Sequence, residues 1–129
     1  MVRSKVYLID TQIFLWFLND DKNLSSSIKN ILIDPTNQIL VSVASIWEIL
    51  LKKKKGTLKI PKNIEEAISV SGFSLLPIDI HHVLALESLP HIHNDPFDRI
   101  LIAQAKSIPL TLISSDKKIW KYNLSLVKA

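Results

Sequence analysis

Short apolar runs alternate with longer amphipathic stretches along this 129-residue chain. The runs are rich in β-branched residues, as buried strands are, and the amphipathic stretches begin at residues that cap helices well. The pattern predicts strands over Lys5–Ile9, Gln38–Val41, Phe73–Leu76, Leu110–Ile113 and Leu124–Val127. It predicts helices, some with their caps included, over Thr11–Leu18, Ser26–Ile33, Val43–Lys54, Asn63–Ser71, Asp79–Glu87 and Pro96–Ser107, and one helical turn at Lys117–Trp120.

The order of these elements defines the expected fold class. Strands that recur between helices form a parallel sheet covered on both faces, so we expect a three-layer α/β/α protein with a short-stranded, mainly parallel sheet. A chain of 129 residues suits one domain, and we take residues 1–129 as that domain.

Composition narrows the class of protein further. There is no cysteine, so disulfides and thiolate metal sites are excluded and we expect a cytoplasmic protein. No apolar stretch is long enough to span a bilayer, and we expect no membrane association. The only glycines, Gly56 and Gly72, cannot form a glycine-rich phosphate loop, a dinucleotide turn or a Gly-x-Ser-x-Gly elbow.

Two predicted strands end on an aspartate at opposite ends of the chain. Asp10 follows the first strand and Asp116 follows the fourth. Because the carboxyl ends of parallel strands share one edge of a sheet, where ligands bind, we expect these side chains to be neighbours. Two more acids have unusual settings, since Glu48 interrupts an apolar helix and Asp98 lies in the first turn of another. Four carboxylates at one edge would form a site for a hard divalent cation.

Three of these acids also have a structural explanation. An aspartate before a helix is a common N-cap, which could account for both Asp10 and Asp116. Lys52 lies one turn after Glu48 and could pair with it if both were exposed. If that helix is buried, an unpaired Glu48 carboxylate would be costly enough to shift its pKa or require a cation.

The segment around Pro96 carries two aspartates, and each could be either a helix cap or a functional acid. Proline at the first position of a helix needs only one capping residue before it, and either Asp95 or Asp98 could serve. We expect Asp95 to be the cap and Asp98 to point toward the edge of the sheet, with Arg99 holding its carboxylate in place.

The four histidines occur in two pairs. His91 and His93 lie just before these aspartates, so a zinc site that includes an aspartate is an alternative to a site for a hard cation. His81 and His82 begin a predicted helix, and we expect both to lie on the surface.

The chain is basic, with a net charge of +4 and a pI near 9.4, which favours a polyanionic partner without specifying one. The densest basic cluster comprises Lys52, Lys53, Lys54 and Lys55. These lysines could be the solvated end of a helix that Gly56 ends, where they oppose the negative pole of the helix dipole. They could also contact a phosphate backbone, and the two roles are compatible.

Four groups of residues, in chain order, resemble the PIN-domain nucleases and in particular the VapC-type toxins of prokaryotic toxin-antitoxin pairs. They are Asp10-Thr11 after a strand, Ser45-Ile46-Trp47-Glu48 followed by Lys53 and Gly56-Thr57-Leu58, Asp95-Pro96-Phe97-Asp98-Arg99-Ile100-Leu101-Ile102-Ala103-Gln104-Ala105, and Ser114-Ser115-Asp116. The resemblance spans nearly the whole chain. One departure is Gln12, where many such sequences have histidine.

The resemblance implies a PIN-like fold and a set of functional residues. The acids of its metal site would be Asp10, Glu48, Asp98 and Asp116. Residues that assist them would be Thr11, Ser114, His93, Asp95 and Arg99, the last three within a His-x-Asp-Pro-Phe-Asp-Arg box.

The implied activity is that of a Mg²⁺- or Mn²⁺-dependent endoribonuclease. Because the acids without a metal would repel phosphate, we expect Lys52 to Lys55 and Arg99 to draw RNA toward them. The implied partners are a cognate VapB-like antitoxin, whose C-terminal segment covers the acidic groove, and a second copy in a homodimer. Trp47, Leu51 and Leu58 are candidates for apolar surface buried either in the core or in an interface. Two alternatives stay open: a non-catalytic PIN-like module that binds RNA or protein, and a DNA-directed metal-dependent nuclease.

Overall fold

Five parallel strands form the centre of the computed structural model, which describes residues 5–54, 60–108 and 110–129. The strands are β1 (Val6–Ile9), β2 (Gln38–Ser42), β3 (Ser74–Leu76), β4 (Thr111–Ser114) and β5 (Leu126–Lys128). Their order across the sheet is β3-β2-β1-β4-β5. In the central strand, Ile9 is in register with Val41 of β2 and Ile113 of β4. The predicted parallel sheet is confirmed, and the ends of β1 and β4 are adjacent.

The described ranges contain six α-helices. They are α1 (Thr11–Leu18), α2 (Ser26–Ile33), α3 (Val43–Lys54), α4 (Ile64–Val70), α5 (Ile80–Ala85) and α6 (Pro96–Ser107), with 3₁₀ turns at Leu86–Ser88 and Ile119–Lys121. Within those ranges, no helix combines the length and the apolar character needed to cross a bilayer.

Buried side chains on the two faces of the sheet form separate apolar clusters, which gives the fold three layers. Ile9 packs in the cluster that α1, α2 and α4 cover, whereas its neighbour Leu8 packs in the cluster against α6. Successive side chains of a strand point to opposite faces, so both β1 residues are fully buried. Complete burial of a leucine or isoleucine contributes roughly 1.5–3 kcal/mol.

Side chains cap five of these helices at their N-termini, as the sequence predicts. The caps are Asp10 for α1, Ser25 for α2, Asn63 for α4, Asp79 for α5 and Asp95 for α6. Helix α3 follows β2 directly, and the backbone N of Ala44 donates to Ser42 Oγ at 3.1 Å. Two caps, Asp10 and Asp95, are thereby placed at the carboxyl edge of the sheet.

Some predicted boundaries differ from the structure near the C-terminus. The helical turn begins at Ile119, because the backbone N of Lys118 donates to Asp116 Oδ1 at 2.8 Å and forms a side-chain-capped turn before it. Strand β5 begins at Leu126, where pairing with β4 begins, and not at Leu124. The predicted helix end at Gly56 lies outside the described residues.

Helix α5 begins with one exposed and one buried histidine. His81 is exposed, but His82 is buried, so the prediction that both lie on the surface is wrong for His82. Its Nδ1 accepts a hydrogen bond from the backbone N of Asp79 at 3.0 Å, which completes a capping box. A backbone N–H can only donate, so the ring proton of neutral His82 is on Nε2.

Candidate functional site

A polar cleft of about 260 Å³ opens where β1 and β4 end, beside α1, α3 and α6. The four acids that the sequence singles out all line it: Asp10, Glu48, Asp98 and Asp116. The remaining lining residues are Thr11, Gln12, Leu15, Lys52, Asp95 and Ser115. The fold thus brings together carboxylates from opposite ends of the chain.

Asp10 is both a helix cap and a buried member of this cleft. Its Oδ1 accepts a hydrogen bond from the backbone N of Ile13 at 2.8 Å, and its Oδ2 accepts one from Ser114 Oγ. Burial raises the pKa of Asp10 to about 6, although the hydrogen bond from Ser114 opposes the shift. Ser114 Oγ also accepts from the backbone N of Asp116 at 3.0 Å, so it links the two strand-end aspartates.

Glu48 is buried on α3, and its two carboxylate oxygens differ. Oε2 pairs with Lys52 Nζ at 3.1 Å, and the Lys52 side chain is half exposed. Oε1 is buried and has no hydrogen-bond donor among the described residues. A buried carboxylate oxygen without a donor is costly, and a cation in the cleft would offset that cost.

Asp95 is the N-cap of α6, as the sequence predicts, and Asp98 is not. Asp95 Oδ1 accepts hydrogen bonds from the backbone N atoms of Phe97 and Asp98, at 2.9 and 3.1 Å. Asp98 is left available to the cleft. Burial, followed by the charges of Asp95 and Glu48, raises the pKa of Asp98 to about 7.

His93 lies between two of the acids. Its Nε2 is 2.8 Å from Asp116 Oδ2 and 3.1 Å from Asp98 Oδ2. Partial burial raises the pKa of Asp116, but hydrogen bonds from His93 and the Lys118 backbone outweigh it and hold that pKa below its usual range. Ligand atoms of His93, Asp98 and Asp116 lie within 4.8 Å of one another, a spacing that could hold a metal ion.

Arg99 acts at a distance from the carboxylates. Its Nη1 donates to the carbonyl oxygens of Pro90 and His93 at 3.1 and 3.2 Å, and its Nη2 donates to Leu89 O at 3.4 Å. The expected contact with Asp98 is therefore replaced by contacts with the loop that carries His93. A guanidinium has several donors in a fixed plane, which suits it to collecting carbonyl oxygens.

Tyr122 is a residue that the sequence did not reveal. Its hydroxyl donates to Pro90 O at 2.8 Å and accepts from the backbone N atoms of His93 and Ile92, at 2.8 and 3.1 Å. These contacts bridge about thirty positions of the chain, and no local pattern signals them. Tyr122 and Arg99 together hold the loop that positions His93.

Hydroxyl groups and lysines complete the surroundings. Thr11 Oγ1 donates to Ser45 Oγ at 2.9 Å, which joins α1 to α3 beside the cleft. Of the lysines, Lys52 lines the cleft, whereas Lys53 is exposed and is not among the lining residues. Lys54 ends α3, and Lys55 lies outside the described residues.

An apolar groove of about 280 Å³ is formed by α3 and α6 together with the α5 segment. Its lining residues are Ala44, Trp47, Ile78, Val83, Leu86, Pro96, Phe97 and Ile100. The Trp47 and Phe97 rings meet edge to face at 5.0 Å, yet Trp47 is 59% exposed. Leu51 is also exposed, so neither Trp47 nor Leu51 belongs to the core, and Leu58 lies outside the described residues.

The fold and the cleft together define a class: an α/β protein with a parallel sheet and a carboxylate-lined cleft at the carboxyl edge of its strands. A comparison with family models narrows that class. The PIN-domain model matches residues 7–123, and the chain belongs to the PIN-domain family. A search of curated proteins gave no match.

Solved structures share the fold at low sequence identity. The VapBC2 complex from Rickettsia felis, bound to a promoter DNA fragment, superposes with a TM-score of 0.70 at 18% identity, over 95% of this chain and 98% of that one. A toxin-antitoxin complex from Klebsiella pneumoniae gives 0.66 at 20% identity, over 95% and 96%. VapBC-1 from nontypeable Haemophilus influenzae gives 0.59 at 18% identity, over 95% and 97%.

Proposed function

We propose that this protein is a Mg²⁺- or Mn²⁺-dependent endoribonuclease and the toxin of a cytoplasmic toxin-antitoxin pair, with residues 1–129 as one PIN-like domain. Family membership supports a hydrolase acting on nucleic acid, and the toxin-antitoxin complexes that share its fold support the toxin role. The observation that carries the proposal is the buried Glu48 Oε1, which lacks a donor among the described residues in a cleft lined by four acids.

The donor set of the cleft suits a hard cation. Carboxylate oxygens select ions such as Mg²⁺ and Mn²⁺, which keep several waters. Asp10, Asp98 and Asp116 would hold the ion directly or through water, and Glu48 would act as a ligand or position a water. The raised pKa values of Asp10 and Asp98 fit this role, because a bound cation favours the charged forms that burial disfavours.

The chain's own residues account for binding and proton transfer in the reaction. A bound Mg²⁺ or Mn²⁺ supplies Lewis acidity toward the phosphodiester and makes water a better nucleophile near neutral pH. Glu48, which lines the cleft, would bind the ion or position the attacking water, and its carboxylate would then be close enough to take the proton of that water. The water oxygen bonds to phosphorus, the bond to the 3′-oxygen breaks, and that oxygen takes up a proton.

Attraction of RNA has to come from residues other than the acids. Lys52 lines the cleft with a half-exposed ammonium group, and Lys53 is exposed on the same helix. We assign them, with Lys54 and Lys55, to the RNA backbone, which predicts binding that weakens steeply with salt. Arg99 holds the His93 loop instead of reaching substrate.

The two depressions support the proposed partners. A VapB-like antitoxin would cover the acidic cleft with its C-terminal segment, since an arginine there would neutralise the crowded carboxylates. A second copy of the chain would cover the apolar groove, where the exposed Trp47 and Val83 form surface that favours association, and Leu51 adds exposed apolar surface on α3.

The test compares cleavage of RNA and DNA oligonucleotides of matched sequence with Mg²⁺, with Mn²⁺ and with EDTA. We expect both metals to support cleavage of RNA, and EDTA to stop it. Cleavage of DNA alone would replace the proposal with a DNA-directed nuclease. Failure to cleave either, by protein that binds Mg²⁺, would indicate a non-catalytic binding module. Cleavage that survives EDTA would defeat the metal mechanism.

A further inference from the structure

His93 is held at three points, all by groups outside the carboxylate cluster. Its backbone N donates to Tyr122 Oη at 2.8 Å, and its carbonyl oxygen accepts from Arg99 Nη1 at 3.2 Å. Its ring Nδ1 accepts from the backbone N of Asp95 at 3.1 Å. The side chain is only 9% exposed, so the ring has little freedom to turn.

The hydrogen bond at Nδ1 decides which nitrogen carries the ring proton. The backbone N–H of Asp95 can only donate, so Nδ1 must present its lone pair. The proton of the neutral ring is then on Nε2. That N–H donates to Asp116 Oδ2 at 2.8 Å, and Asp98 Oδ2 lies 3.1 Å from the same nitrogen. A hydrogen bond to an ionised carboxylate such as that of Asp116 is stronger than one to a neutral acceptor.

This arrangement disfavours His93 as a metal ligand. Coordination through Nε2 would require its lone pair and would move the ring proton to Nδ1. That proton would then face the backbone N–H of Asp95, so two donors would oppose each other and the hydrogen bond between them would be lost. The loss of a hydrogen bond is costly in a buried setting. The imidazole beside the acids is thus held as a donor.

We propose that His93 is a positioning residue of the cation site and not one of its ligands. Its Nε2–H bonds to the Asp116 carboxylate and faces the nearby Asp98 carboxylate, which keeps both beside the cation site. Asp95 maintains this state through its backbone N–H while its side chain caps α6. The inference rests on the proposed function of the cleft as a cation site. It makes the donor set all oxygen, which favours Mg²⁺ and Mn²⁺ over zinc.

The tautomer can be measured directly by long-range ¹H–¹⁵N NMR on the full-length protein, without metal and with saturating Mg²⁺. A His93→Gln variant assigns the signal. We expect the Nε2–H tautomer in both states. An Nδ1–H tautomer with Mg²⁺ bound would overturn the proposal, because it would show that Nε2 had become a ligand.

Calorimetric titration with Mg²⁺ then tests the positioning role. His93→Gln can still present an N–H to the carboxylates and should keep affinity within about threefold, whereas His93→Leu should weaken it by roughly 10–100-fold. His82→Gln is the matched control, because His82 Nδ1 likewise accepts from a backbone N–H but its ring contacts Asp79 and Gln104 and not the acids of the cleft. Its affinity should equal that of the wild type.

Each outcome decides one question. If His93→Leu fails to fold by circular dichroism, His93→Gln decides, and a loss above about tenfold in that variant would contradict the role of the N–H. Equal Mg²⁺ affinity in wild type and a folded His93→Leu would also overturn it. A wild-type protein that binds no Mg²⁺ would remove the cation site and this inference together. Normal Mg²⁺ binding without RNA cleavage would instead contradict only the proposed activity.

Discussion

The acidic cleft and the apolar groove are similar in size, about 260 and 280 Å³, and two helices, α3 and α6, contribute to both. On α3, Glu48 lines the cleft and its neighbour Trp47 lines the groove. On α6, Asp98 lines the cleft and its neighbour Phe97 lines the groove. Successive residues of a helix point about 100° apart, so each helix serves both depressions with adjacent positions.

The two regions depart from ordinary surface in opposite ways. In the cleft, burial and like charges make the ionised carboxylates unfavourable and raise the pKa values of Asp10 and Asp98 to about 6 and 7. In the groove, an aromatic side chain stays 59% exposed at Trp47. A cation would relieve the first cost and an apolar partner the second. Substitutions in one region should therefore leave the property of the other intact.

The largest effect is expected from Asp10→Asn, which removes one charge from the cleft. Asparagine can still cap α1, and the Ser114 hydroxyl can turn to accept from its amide, so the fold should persist. We expect RNA cleavage to fall by at least about 10³-fold, or about 4 kcal/mol of transition-state stabilisation. Asp79→Asn is the control, because Asp79 caps α5 and does not line the cleft. Cleavage by Asp10→Asn within tenfold of wild type would contradict the assignment.

Asp98→Asn should stabilise the metal-free protein in a pH-dependent way. Because the folded-state pKa is raised from 3.8 to about 7, this carboxyl contributes its full stability below about pH 4 and loses it as pH rises toward 7. Asparagine avoids that loss. Its advantage in free energy of unfolding should grow from near zero at pH 4 to as much as about 4 kcal/mol at pH 8.

Urea denaturation in EDTA at the two pH values measures this advantage, and Mg²⁺ should reduce it by stabilising only the wild type. Asp34→Asn is the control, because the pKa of Asp34 is shifted in the opposite direction. Hydrogen bonds from Thr36 lower the pKa of Asp34, so this substitution should give no gain at pH 8. If the advantage of Asp98→Asn in free energy of unfolding does not change with pH, burial does not raise the pKa of Asp98.

Trp47→Asp should weaken association at the apolar groove and leave cation binding in the cleft unchanged. A charge in place of a central aromatic contact should weaken the proposed homodimer by about 10²-fold, since such residues dominate interface energy. Sedimentation equilibrium measures the change, and Mg²⁺ affinity should be unaltered. Val70→Asp, at a position 80% exposed on α4, is the matched control. A dimer of undiminished affinity would place the interface elsewhere.

The smallest effect is expected from Lys52→Gln. Its ion pair joins a half-exposed lysine side chain to the buried Glu48 carboxylate. Because the glutamine amide N–H still supplies a donor to that carboxylate, we expect a loss of no more than about 1 kcal/mol of folding stability. If Lys52 neutralises one phosphate, the slope of log affinity against log salt should fall by about 0.7, measured with Asp10→Asn protein so that RNA stays intact. Lys106→Gln, in the last turn of α6, should leave the slope unchanged.

Much of the fold was predictable because its signals are local. Apolar runs predicted β1, β2 and β4 to within a residue, and capping residues predicted the helix starts, including Asp95 in preference to Asp98 for α6. The weaker predictions concern elements that depend on distant partners. β5 begins where it pairs with β4, and the buried His82 ring lies 3.5 Å from the side-chain amide of Gln104 on α6.

By itself the sequence determined the fold class, the caps and the identity of the four acids, since these depend on residue type and short-range spacing. Only the tertiary structure decided how the acids are held. Three features depend on burial or on contacts between distant positions: the Glu48 oxygen that lacks a donor within the described part of the chain, the hydrogen bond from Ser114 to Asp10, and the His93 loop held by Arg99 and Tyr122. Spacing along a chain cannot specify such contacts, because burial and hydrogen-bond direction exist only after the strands and helices have packed.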